Sequence, residues 1–120
     1  LHAASASMVA FNVDIGNQVV YRNVIGNESV EITNRAVSGS CTIEAPTITA
    51  KDWFTTSLES TTGALQMVHG STAGNIVTID APAVQVISPT YGDSDGIVTL
   101  EANLSFVPDE GDDEITITLT

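Results

Sequence analysis

The chain has 120 residues, 15 of them acidic and 3 basic, for a formal net charge of −12 at pH 7. Charged side chains make up only 15% of it, so the acid excess reflects scarce cations rather than a disordered acidic tail. With Arg22, Arg35 and Lys51 as the only permanent cations, gripping a nucleic-acid backbone or an anionic membrane is excluded, because either needs several phosphates neutralised at once.

A chain of this size exposes about 6,200 Å² when folded compactly against roughly 18,000 Å² unfolded, which is enough burial for one core without a covalent staple. Cys41 is the only cysteine, so a disulfide framework is impossible and a reducing compartment fits best. Val, Ile and Thr supply about a third of the residues, an enrichment that favours pleated, half-buried strands.

In chain order, Leu1 to Ser7 is small and polar without a period and reads as an N-terminal arm or linker remnant, leaving residues 8–120 as a single β domain. Met8 to Ile15 alternates, with Val9, Phe11, Val13 and Ile15 on one face. Gly16-Asn17 offers a two-residue turn, and Gln18 to Ile25 is the expected return strand. Glu28 to Arg35 alternates through Val30 and Ile32. Val37-Ser38-Gly39 can turn, and Cys41, Ile43 and Ala45 carry a second return strand until Pro46, with Cys41 facing the core.

Thr49 and Asp52 have capping-box spacing before a short helix at Lys51 to Glu59, with Phe54 and Leu58 sharing its docking face beside Trp53. Ala64 to His69 and Asn75 to Ala81 are strands around the loop Gly70-Ser71-Thr72-Ala73-Gly74. Pro82 and Pro89 bracket a further strand through Val84, Val86 and Ile87, at an edge or changing sheets. Ile97 to Val107 is the longest alternating run and reads as a central strand. Glu114 to Thr120 closes the chain with Ile115, Ile117 and Leu119 inward. About nine antiparallel strands and one helix make a mainly β fold, a sandwich or partly closed barrel with one short flanking helix.

Chemistry-bearing patterns are sparse. His2 and His69 stand apart, with only Cys41 besides, so no zinc ligand set and no nucleophile–base pair is legible. No cofactor, metal or catalytic residue is expected. Asp93-Ser94-Asp95-Gly96 has the first carboxylates and glycine of a calcium loop but no closing glutamate, and Asp-Gly is also a hairpin turn, the favoured reading. Asp109, Glu110, Asp112, Asp113 and Glu114 are the strongest charge cluster, either a solvated loop guarding the last strand or an acidic patch facing a partner.

The run from Thr62 through Met67-Val68-His69-Gly70-Ser71-Thr72-Ala73-Gly74 to Gln85, then Pro89-Thr90-Tyr91-Gly92-Asp93-Ser94-Asp95-Gly96-Ile97, resembles the C-terminal half of major tail tube proteins of long, non-contractile-tailed bacteriophages. Gly111 to Ile117 is similar to their ending, and Gly39 to Pro46 followed by Asp52-Trp53-Phe54 to their strand-to-helix step. The resemblance implies a β-sandwich with a flanking helix, six copies closing into a ring, and stacked rings conducting DNA in a virion tail. Its partners would be itself and other tail proteins, with DNA only as transient cargo. Trp53, Phe54, Gly70, Ser71 and Thr72 are then the expected subunit interface. A type VI secretion tube or a tail terminator would share the implied fold, and a monomeric immunoglobulin-like binding module, for virion or cell-surface display, is the competing class that explains a sandwich equally well.

Overall fold

Apolar alternation, interrupted by glycine and proline, produces eight strands and one helix in the computed structural model, which describes all 120 residues. The strands are β1 (Met8–Asp14), β2 (Asn17–Val24), β3 (Asn27–Arg35), β4 (Ser38–Glu44), β5 (Thr62–His69), β6 (Val77–Ser94), β7 (Ile97–Val107) and β8 (Thr116–Leu119); helix α1 is Trp53–Leu58. One antiparallel sheet runs β1-β4-β7-β6-β5, with β8 also on β6, and β2 pairs only with β3. The fold is mainly β with one short helix. The barrel does not close: β1 and β5 end the sheet path without bonding to each other.

The core forms where inward positions of β4, β5, β6 and β7 meet: Cys41 and Ile43, Leu65, Val84 and Val86, Leu100, Leu104 and Phe106, with Trp53 from the helix. β7 is central, paired along its length with β4 and β6, as its pattern predicts. Burial pushes the Cys41 thiol pKa up, so it behaves as a small core hydrophobe.

The strand pairing departs from the expected hairpins. β1 does not return through Gly16-Asn17 into β2; it pairs with β4, and β2 and β3 form an excursion between them. Gly16 has φ +62, and a Cβ on it would lie 2.4 Å from the Ala36 carbonyl oxygen. It is thus a crossing where the chain leaving β1 meets the chain entering β4, not a hairpin tip. The true tip is Ile25-Gly26, and β3 and β4 are not partners.

The two expected strands around Pro82 are one, the 18-residue β6. Both prolines sit where its ladder is already broken, Pro82 opposite the Gly63/Leu65 register shift and Pro89 inside the Ile87/Thr90 shift, so neither removes a required N–H bond. Asp95 and Gly96 both take positive φ, 53° and 85°, the primed two-residue turn that joins β6 to β7.

The helix is shorter than expected, and its cap is Asp52 rather than Thr49. The Asp52 carboxylate accepts N–H bonds from Phe54 and Thr55, both at 3.0 Å. Its inward face is Trp53 and Thr56; Leu58 lies 86% exposed, not on the docking face with Phe54. Ile117 and Leu119 are also solvent-facing, because β8 is an edge strand on the first residues of β6 and nothing packs over it; Ile115 alone of that segment reaches the core.

Candidate functional site

The surfaces able to act are uncovered sheet, beginning with the β2–β3 hairpin. Its register places Val19 opposite Ile32 and Tyr21 opposite Val30, giving one apolar face; Val20, Glu31, Arg22 and Ser29 form the other. Neither face packs on the subunit, and Val19, Tyr21, Val30 and Ile32 are each more than half exposed. Consequently the radius of gyration is 17.4 Å, against about 13.6 Å for a compact chain of this length. The Tyr21 hydroxyl donates to Glu28, which pushes its pKa up.

The hairpin base is clasped by the acidic loop. Arg35 donates to Glu114, whose side chain is only 12% exposed, and at 3.4 Å to the fully solvated Asp112. Asp113 turns inward on its own loop, accepting N–H bonds from Asp109 at 3.0 Å and Glu110 at 3.1 Å, and the bond from Glu110 leads in holding its pKa down. The five-carboxylate cluster therefore divides: Asp113 and Glu114 hold structure, while Asp109, Glu110 and Asp112 face water.

The sheet face opposite the core is polar and free of cations. Cross-strand rows run Asp14, Ser38, Ser105, Gln85; Asn12, Ser40, Asn103, Ile87; and Ala10, Thr42, Glu101, Thr90. A cleft of about 300 Å³ opens there among Ser40, Thr42, Ser88, Thr90, Glu101 and Asn103. The carboxylates there repel phosphate, and the hydroxyls and amides, which can donate single hydrogen bonds to it, bring no positive charge to neutralise it.

Of the expected interface residues, Trp53 is 3% exposed and belongs to the core, and Phe54 is half-buried with its ring 5.2 Å from Tyr91. Gly70, Ser71 and Thr72 are exposed in the β5–β6 loop; a Cβ on Gly70 would strike the Asn75 carbonyl oxygen, so its φ of +101 is needed to close that loop. Asp93 accepts the Gly96 N–H at 3.3 Å as a turn residue. No group of three or more His, Cys, Asp or Glu side chains comes together in metal-binding geometry.

Sequence reasoning missed two features. Apolar residues at three consecutive positions, Val19, Val20 and Tyr21, were the available sign that β2 has no single inward face. The other is the docking of Leu1 to Ser7. The His2 N–H donates to the Ala64 carbonyl at 2.8 Å, its Nε2 bonds the Val84 carbonyl at 2.7 Å, and its ring meets Trp53 edge-on. Gly63 provides the notch, since a Cβ there would fall 2.6 Å from the His2 ring. Burial, the largest influence on it, lowers the His2 pKa.

An antiparallel sheet with a polar outer face and a projecting apolar hairpin defines a mainly β protein whose distinguishing surfaces are uncovered sheet. The chain belongs to the phage tail tube protein family, whose profile matches residues 2–120. It is accordingly a tail component of a phage-like particle. Among solved structures, it is similar to a chain in the tail of an empty gene transfer agent particle with C6 symmetry, at 15% identity and TM-score 0.58, covering 96% of this chain and 83% of that chain. It is also similar to a chain in the virion of a native gene transfer agent particle, at 13% identity and TM-score 0.60, covering 94% and 85%. At such identities the likeness is one of fold. No curated protein matches the chain.

Proposed function

We propose that this chain is the repeating subunit of a tail tube: six copies close a ring, and rings stack into a conduit for DNA, assembled in the host cytoplasm. The observation that carries the reading is the hairpin. A two-stranded ribbon exposed on both faces is marginal by itself in water, so Val19, Tyr21, Val30 and Ile32 need cover from outside the subunit. A monomeric display module gives no reason for it. The similar tail with C6 symmetry supports six copies.

The cation-free face across β1, β4, β7 and β6 suits the lumen. Asp14 and Glu101 repel a passing phosphate backbone, and the uncharged hydroxyls and amides supply no charge to neutralise it. DNA is then a transient, ungripped cargo, other tail proteins cap the tube, and no reacting group is required of the chain. Phe54 and the Gly70-Ser71-Thr72 loop are secondary contacts between copies, with Trp53 supporting the helix from within.

Negative-stain imaging of the purified chain at rising concentration and salt tests this. Sixfold rings or tubes are expected, favoured by salt because it screens repulsion between copies of charge −12. Monomers alone at high concentration would overturn the reading.

A further inference from the structure

We propose that the apolar face of the β2–β3 hairpin seats in the groove between β1 and β5 of a second copy of this chain. This rests on the tube-subunit reading and adds the surface that receives the hairpin. The groove, about 510 Å³, is lined by Met8, Val9 and Phe11 on one lip and Met67 and Val68 on the other, with Gln66 and His69 as its polar members.

Charge selects this pair of surfaces. Copies carrying −12 each repel almost everywhere, so close apposition requires patches without carboxylates. No acidic residue lines the groove. On the apolar hairpin face the one carboxylate, Glu28, lies near the tip and is engaged by Tyr21. The apolar patch around Tyr91, Ile97 and Val98, by contrast, adjoins Asp93 and Asp95.

Area and shape agree. The chain exposes 7735 Å², about 1,500 Å² more than a compact chain of its mass, close to the roughly 1,600 Å² of a standard interface. In a head-to-tail junction every copy gives one hairpin and receives another, so each loses both surfaces at once, and such a contact generates rings or filaments. β1 and β5 are the two ends of the main sheet path, each with a free edge. Covering the groove between them shields both edges, which would otherwise invite indiscriminate pairing.

The experiment uses two full-length variants, Val30→Asp on the hairpin and Val68→Asp in the groove, sized by analytical ultracentrifugation with and without chemical cross-linking. Each variant alone is expected to stay monomeric. Mixed in equal amounts they give a species of twice the monomer mass, because one supplies a sound hairpin and the other a sound groove; unfolded variants could not do this. Ile117→Asp on β8 assembles like the parent chain. Assembly of Val68→Asp as well as the parent, or a mixture that remains monomeric, overturns the groove as acceptor. Loss of assembly in Ile117→Asp but not in Val68→Asp moves the acceptor to β8 and overturns it equally. A parent chain that never leaves the monomer instead fails the tube reading itself.

Discussion

The β4–β7 ladder and the β2–β3 hairpin are both antiparallel pairs of seven or eight registered residues rich in aliphatic side chains, yet their surroundings are opposite. Cys41, Ile43, Leu100 and Leu104 are buried at 4% exposure or less, whereas Val19, Tyr21, Val30 and Ile32 all exceed 55%. Hydrogen-bonded pairing is thus common to both; burial is what separates them. A ladder gains most of its stability from the layer packed on its face, and the hairpin has none within the subunit. The two regions therefore answer to different equilibria, the first to folding and the second to association.

Truncation should break the comparison most visibly. Leu104→Ala, at 2% exposure, is expected to cost about 2–5 kcal/mol in urea unfolding of the monomer. Val30→Ala should stay within about 0.5 kcal/mol in the same measurement while weakening assembly. If the two cost alike, the hairpin is packed against its own subunit in solution and the division fails.

How far this division was readable before the structure depends on the region. Period-2 alternation identified β7 and its central place, and the Asp95-Gly96 turn, because both follow from chemistry local to the segment. Pairing partners were not local. Gly16-Asn17 and the Val37-Ser38-Gly39 turn looked like hairpin tips, but nothing in those residues states that Ala36 must pass against Gly16, since that contact joins positions twenty residues apart. Pro82 and Pro89 look like strand ends in isolation because a ladder needs N–H donors; the register shifts that excuse them depend on β5 and β7. Among the candidate surfaces, the acidic loop was visible as a charge run, but its division into free and structural carboxylates hinges on the distant Arg35. His2 gave no sign of docking because the notch at Gly63 lies beyond any local window.

Arg35 sits at the boundary between the two regions, so its partners sharpen the comparison at intermediate cost. Glu114→Gln leaves a half-buried guanidinium whose Nε already lacks a partner, and should destabilise the monomer by about 1–3 kcal/mol. Asp112→Asn, removing a fully solvated partner at 3.4 Å, should change little and less still at high salt. Equal effects in chemical denaturation would mean that the loop acts through its summed charge and does not clasp the hairpin base.

The smallest effect belongs to the helix cap, which tests the core side alone. Bonds from Thr55, backbone and then side chain, hold the Asp52 pKa below its ordinary 3.8. A carboxylate with a depressed folded pKa contributes stability that is fully present above the unfolded value and is lost as pH falls through the folded one. Asp52→Asn should therefore lower the melting temperature slightly at neutral pH, and the gap to the parent chain should close on acidification below the ordinary carboxylate range. Assembly should change little at neutral pH, because asparagine still caps the helix that carries Phe54 and the cap does not touch the hairpin. A gap that persists unchanged in strong acid would show that the aspartate acts through shape alone and not as a charged cap.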